Sequence, residues 1–352
     1  FVQFHPTGMA VDESDPEWAP WSGRLVTEAV RGEGGRLYNA DGERFMERYS
    51  PDQMELDARD VVARAIAREV AEGRGTENGG VYLDISHRDA EFIRERLPRM
   101  YERFADLGVD MAAAPVEVAP TAHYGMGGVA VDDHGETEVE NLFAIGETMA
   151  GVHGANRLGG NSLAETVAYG VVAGARVADR VDGPGGVPDR LVEELVDPHL
   201  AGLAAVADTD GEHDVEALVA ELRERLWTHA GILRDDAGLA AGLDALDRVR
   251  EKAADVAVGP VTSRSFEYAL DLGFMLTSAE AILRGARERT ESRGAHFRTD
   301  FPDADDDWRR NLFFERSDVG GMRLRTEPVG RPSDAVQAAL DAGHELDYHQ
   351  LE

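Results

Sequence analysis

The chain has 352 residues, 43% of them hydrophobic, enough to bury a core and to form two or more domains. Its 68 acidic residues against 36 basic ones give a formal charge of -32, which argues against nucleic acid and anionic lipid as direct partners. It contains no cysteine, which excludes disulfides, thiolate metal sites, iron–sulfur ligation and a cysteine nucleophile within this chain. Residues 1–50 alternate short apolar runs with turns, including a glycine cluster at 32–35. Asp41-Gly42, between RLYN and ERFM, predicts a hairpin. Residues 56–75 read as an amphipathic helix with Asp57 as N-cap and Gly73 and Gly75 at its end. VYLDIS (81–86) reads as a short strand, and 90–108 as a helix broken or kinked at Pro98. From 115 to 146 the pattern is strands and glycine turns, closing on NLFAIG as a buried strand. Residues 161–181 form a helix of small and apolar residues suited to packing on a sheet, followed by a linker, GPGGVP (183–188). Two further helices carry apolar stripes: Leu218, Leu222 and Leu226 within 213–227, and Leu272, Leu276, Ala279, Leu283 and Ala286 within 265–289. The tail from about 295 carries an acidic turn, DADDDW (303–308), and then a strand, RLRTEPV.

Lys252 is the only lysine. An acidic, lysine-poor surface reads as halophilic adaptation, since a Debye length of about 3 Å in molar salt screens repulsion; an ordinary acidic protein from a GC-rich genome is the alternative. No apolar run approaches the roughly 18 residues that span a bilayer, and no signal peptide is visible. The chain opens at Phe1 inside a strand-like FVQF, so it is expected to be a fragment without its N-terminal part.

Four segments set polar groups among glycine and proline in a way that core packing does not require: FHPTG (4–8), TEAVRGEGG (27–35) with ARD (58–60), PTAHYGMGG (120–128), and AIGE…HGANRLGGNSL (144–163). Together they offer His5, Arg31, Arg59, His123 and Arg157, a large supply of cations and donors for an acidic chain. If they converge, the natural ligand is a small di-anion, because an arginine fork fixes the plane of a carboxylate. A GxGxxG fingerprint is absent; GEGGRL has the wrong spacing. The residues alone give an anion-binding α/β protein with a cofactor. His153 reads as a structural hydrogen-bonder, and His87, His134, His199, His213, His229, His296, His344 and His349 as solvated or capping. Thr27 has a plain reading too, as the cap of a helix over 28–31.

In their order, FVQFHPTG, LVTEAVRGEGGRLYNADGERFMERY, LDARDVVARAI, PTAHYGMGGV, LFAIGE and HGANRLGGNSLAE resemble the flavoprotein subunits of succinate dehydrogenase and fumarate reductase, a family that includes L-aspartate oxidase. The resemblance covers nearly the whole chain and extends to 286–308. It implies an α+β / α/β multi-domain fold: a capping domain (1–118), the C-terminal part of an FAD-binding domain (119–181), a helical domain (182–294) and a small C-terminal domain (295–352). It implies FAD as cofactor and hydride transfer between flavin N5 and a C4 dicarboxylate, succinate or fumarate. Arg59 matches the proton-transferring arginine, with Glu28 and Arg31 as its relay. His5, Thr27, His123 and Arg157 match the groups that hold the two carboxylates. Glu147 matches the acid that binds the flavin's sugar-like chain, and Asn161, Ser162 and Leu163 the segment against the flavin ring.

The family also implies an iron–sulfur subunit, membrane-anchor subunits, a place at the cytoplasmic face of the cell membrane, and roles in the tricarboxylic acid cycle and electron transport. The tail at 311–329 matches the family loosely, which bears on docking of the iron–sulfur subunit. Two other readings stand beside this one. L-aspartate oxidase is the runner-up, although RLGGNSL resembles the dehydrogenase form better. The third is a non-catalytic fragment: without the dinucleotide cradle, 1–352 alone is expected to be colourless and inactive.

Overall fold

Strand β1 (Val2–Met9) is buried along all but its first residue, and it carries the segment FHPTG. The computed structural model describes residues 1–181, 189–318 and 320–342. After β1 come a five-residue helix α1 (Glu28–Gly32), β2 (Arg36–Tyr38), α2 (Met46–Tyr49) and α3 (Arg59–Ala71). Next are β3 (Val81–Asp84), α4 (Ala90–Arg96), α5 (Pro98–Asp106) and β4 (Val116–Gly125). β1, β4, β3 and β2 lie in that order in one antiparallel sheet. α3 covers it: Val62, Ala65, Ile66 and Glu69 recur at helical spacing and are buried. This first apolar core joins Met9, Val30, Leu37, Phe45, Ile66, Val81, Leu83, Ile93, Phe104 and Val118.

The chain continues through α6 (Asn161–Arg180), α7 (Asp189–Val206), β5 (His213–Asp214), α8 (Val215–Ala230), α9 (Asp236–Lys252), β6 (Val256–Ala257) and α10 (Arg264–Glu288). α8, α9 and α10 share a second core that contains Leu218 and Leu222 of the expected α8 stripe, with Leu226 partly buried against it, and the whole α10 stripe, Leu272, Leu276, Ala279, Leu283 and Ala286. Each buried leucine contributes about 2 kcal/mol by transfer from water. Residues Phe1–Asp303 cluster as one unit. A second unit begins at Ala304 and holds the antiparallel pair β7 (Arg310–Arg316) and β8 (Met322–Pro328), then α11 (Asp334–Asp341). Among the described residues no helix is long and apolar enough to cross a membrane.

Several local expectations change. Asp41-Gly42 does form a tight turn, with Gly42 at φ 80° and the Asn39 side chain accepting the Asp41 and Glu43 amides. No hairpin follows, because β2 pairs with the distant β3 and the ERFM segment turns helical at Met46. Ala58, not Asp57, occupies the N-cap of α3, and Asp57 instead accepts the adjacent Ala58 amide. Pro98 does break 90–108 into two helices. NLFAIG forms one isolated bridge, Glu136–Phe143, flanked by backbone bonds from Thr137 to Leu142 and from Ala144 to Gly135, and with Leu142 and Ile145 exposed it is not a buried strand. α6 forms where expected, but its buried residues are Glu165 and Ala173 alone; Leu163, Val167 and Val171 face outward. The linker at 183–188 and His344 and His349 lie outside the described residues.

Candidate active site

Two irregularities in the β1–β4 ladder shape the site. Pairing steps from His5–Thr121 to Gly8–Ala119, so Pro6, which lacks an N–H, sits in a bulge. It steps again from Gln3–Tyr124 to Phe4–Ala122, leaving His123 as the extra residue on β4. A bulge re-aims its side chain, and the His123 ring meets that of His5 edge to face, centroids 5.4 Å apart. The Thr7 amide donates to His5 Nδ1 at 3.2 Å, so the neutral ring carries its proton on Nε2. Burial, reinforced by Arg31 and Arg59, pushes His5 down to about 3. Burial, with Arg59 and Arg157, lowers His123 as well. Both rings are neutral at pH 7, His5 with its proton on Nε2 and His123, whose Nε2 accepts from Arg157, with its proton on Nδ1.

The arginines come from three other elements. Arg59 opens α3, and its Nε and Nη2 donate to Glu28 Oε2 at 2.9 and 2.7 Å. Glu28 opens α1, and Arg31 approaches the same oxygen at 3.8 Å from one turn later. Arg31 is buried and donates to the Glu55 carbonyl at 2.5 Å. Burial raises the Glu28 pKa, but the hydrogen bonds from Arg59 and the charges of Arg31, Arg59 and Arg157 outweigh it, and the net shift is downward. Arg157 lies in the glycine loop before α6 and is 3% exposed. Its Nη2 donates to His123 Nε2 at 2.8 Å, its Nη1 to Leu158 O at 3.1 Å, and Ser162 Oγ lies 3.4 Å away. Its guanidinium stacks 4.7 Å over the Tyr124 ring. A Cβ at Gly159 would stand 3.9 Å from Arg59 Nη2, so the glycine loop passes directly by that guanidinium.

The structure thus gathers His5, Glu28, Arg31, Arg59, His123 and Arg157 from five segments into one cluster. Three guanidinium groups act on the one carboxylate of Glu28, which leaves positive charge for an anionic ligand. Thr27 occupies the N-cap of α1, where the plain reading puts it, but its side chain is exposed and makes no cap bond. Glu147 sits in a short turn, exposed, and accepts the Gly125 amide at 2.8 Å. Asn161, Ser162 and Leu163 form the first turn of α6, where Leu163 is 74% exposed. Gly160, at φ 75°, is the N-cap there and no side chain caps the helix. Gly128 abuts Thr148 O so closely that a Cβ would sit 2.2 Å from it. The start of α6, which carries exposed Leu163 and sets Ser162 beside Arg157, and the exposed Glu147 carboxylate fit a flavin: the positive end of a helix for its ring, an acid for its hydroxyls.

Other residues in the cluster escape sequence reading. Gln3, Asp60 and Asn156 bridge its parts. Tyr124, His153 and Glu165 form a buried trio under Arg157: Tyr124 Oη donates to Glu165 at 2.8 Å, and His153 Nε2 meets the same carboxylate at 2.7 Å. His153 is therefore a structural hydrogen-bonder, as expected. Tyr124 rises to about 12 through burial and the Glu165 bond. His296, expected to be solvated or capping, is buried. Arg234 donates to its Nδ1 at 2.9 Å, and burial followed by the Arg234 charge lowers it to about 3.

These histidines set a pH dependence of stability. Unfolding returns His5 and His296 to about 6.5, so between about 3 and 6.5 the unfolded chain binds protons that the folded chain refuses. Stability is complete above that window and falls as pH drops through it, by about 1.4 kcal/mol per pH unit for each histidine. Thermal melts from about pH 7 to about pH 5 should show a falling Tm, with a shallower slope in His296→Gln. An unchanged slope in the variant overturns the assignment.

The fold and the site are those of a flavoprotein. The FAD binding domain profile matches residues 1–163, and the fumarate reductase flavoprotein C-term profile matches residues 219–335. A fumarate reductase (CoM/CoB) polypeptide from Methanothermobacter marburgensis is 46% identical over 318 residues, covering 90% of this chain and 56% of that protein. L-aspartate oxidase from Pseudomonas aeruginosa is 40% identical over 304 residues, covering 86% and 52%. The E. coli quinol fumarate reductase FrdA structure superposes with a TM-score of 0.84 at 33% identity, covering 95% of this chain and 59% of that one. The chain belongs to the succinate dehydrogenase and fumarate reductase flavoprotein family, to which L-aspartate oxidases are related, and FAD is its cofactor. It spans little more than half the length of these relatives.

Proposed function

We propose that the protein carrying this chain interconverts succinate and fumarate. The observation that carries the reading is the meeting of Arg59 and Arg157 around two neutral histidines. Arg157 and His123 hold one carboxylate of the dicarboxylate, and His5 and Thr27 hold the other. Gripping both ends fixes the central carbons, a proximity effect equivalent to a high local concentration. Flavin, when bound, exchanges hydride at N5. Arg59 moves the proton at the neighbouring carbon. An arginine is a poor acid in water, with a pKa above about 12, but Glu28 bonds it twice and Arg31 stands behind Glu28. That chain supplies and withdraws the proton.

The four-part division at 118, 181 and 294 is part of the proposal, supported by one apolar core inside 9–118 and another inside 215–286. So are membrane-anchor subunits and an iron–sulfur subunit, which would hold the chain at the cytoplasmic face of the membrane. A second reading, L-aspartate oxidation, draws support from the 40% identity to such an oxidase. One comparison on the full-length protein separates them: dye reduction by succinate against hydrogen peroxide release with L-aspartate. Succinate–dye turnover is expected. Peroxide from aspartate with no succinate activity reverses the choice.

A further inference from the structure

The two arginines that face the proposed substrate sit on separate elements, α3 and the glycine loop before α6. Three neutral or acidic side chains tie those elements together. Gln3 on β1 is fully buried. Its Nε2 donates to Asn156 Oδ1 at 2.8 Å and to the Arg157 carbonyl at 2.7 Å, while its Oε1 faces Arg59 Nη1 at 3.5 Å. Asn156 Nδ2 donates to Asp60 Oδ1 at 2.8 Å. Asp60 directly follows Arg59 and Asn156 directly precedes Arg157.

The direction of these bonds is dictated by chemistry. An ionised Asp60 only accepts, so Asn156 must turn its amide nitrogen toward it. That leaves the Asn156 oxygen toward Gln3, which must then present its own nitrogen. The Gln3 oxygen is thereby left for Arg59. With Gln3 buried and Asn156 and Asp60 part-buried, this chain of two amides and a carboxylate has one arrangement that satisfies every member, and reversing either amide leaves acceptor against acceptor.

We propose that Gln3, Asn156 and Asp60 form a polar latch that sets the spacing and orientation of Arg59 relative to Arg157. This rests on the dicarboxylate reading for its effect on turnover, but not for the latch itself. The three are positioning residues: they hold the arginines, and the arginines meet the substrate.

Near-isosteric changes test the latch in the full-length, FAD-loaded protein. Asn156→Asp keeps the shape but sets a carboxylate against that of Asp60. Adding Asp60→Asn restores a donor facing an acceptor, with the polarity reversed and the net charge returned to that of the wild type. A displacement of about 1 Å costs about a hundredfold in rate, so Asn156→Asp should lower kcat for fumarate reduction by about that factor. KM should change much less, FAD content should be unchanged, and the double variant should recover most of kcat. Amide hydrogen exchange in the first turn of α3 and in 154–160 should quicken in Asn156→Asp and slow again in the double variant. If wild-type protein shows no dicarboxylate turnover, the functional reading fails and the exchange data alone decide the latch. A double variant no better than the sum of its single changes, in kcat or in exchange, overturns it.

Discussion

Replacing Arg59 with glutamine is expected to lower fumarate reduction by about three orders of magnitude while leaving FAD bound. General acid catalysis by a positioned side chain is worth about 10²–10⁴-fold, and glutamine keeps a donor near Gln3 and Glu28 but has no proton to give. Retention of the cofactor follows from the contacts. Arg59 bonds Glu28 and faces Gln3, whereas the groups assigned to the flavin are Glu147 and the first turn of α6. The measurement pairs single-turnover fumarate reduction with the visible flavin spectrum. Normal turnover in Arg59→Gln removes Arg59 from the proton step. Loss of the spectrum would instead make Arg59 a structural support. Glu28→Gln offers an internal check: it takes the carboxylate from the relay but leaves Arg59 in the site, so a smaller loss with the same spectrum is expected.

The apolar helices were legible because burial leaves a period near 3.6. The stripes on α8 and α10 are read directly from leucine and alanine spacing. The cluster residues were legible for the opposite reason: arginine and histidine amid glycine serve no packing purpose. Strand partners were not legible. RLYN and the turn after it look like a hairpin, and only the distant VYLD completes β2. NLFAIG is apolar enough for a strand, yet its pairing with 135–137 ends after one bridge and leaves Leu142 and Ile145 exposed. Gln3, Asn156 and Asp60 were missed because an amide's role depends on which groups tertiary structure brings to it. His296 was misread because a solitary histidine in a sequence carries no period, while its neutrality comes from burial beside Arg234. The ends of elements failed most simply: Asp57 is a good capping residue by type, but the helix begins one residue too late to use it.

Arg157→Gln is expected to act on the other half of the site, raising KM for the dicarboxylate by about a hundredfold. Charge-assisted hydrogen bonds contribute about 1.5–3 kcal/mol each, and about 1.4 kcal/mol is tenfold in affinity. A bidentate grip replaced by one amide donor therefore loses about 3 kcal/mol. Lysine at 157 is not expected to rescue it, since a point charge neither matches the carboxylate plane nor stacks on Tyr124 as the guanidinium does. A second readout needs no turnover. Arg157 lowers His123 by its charge, after burial and Arg59, so Arg157→Gln should raise the His123 pKa, visible in a histidine NMR titration. A higher KM with an unmoved His123 means that the two residues do not share the site in solution. A raised His123 pKa with an unchanged KM means that they do, but that the substrate carboxylate binds elsewhere.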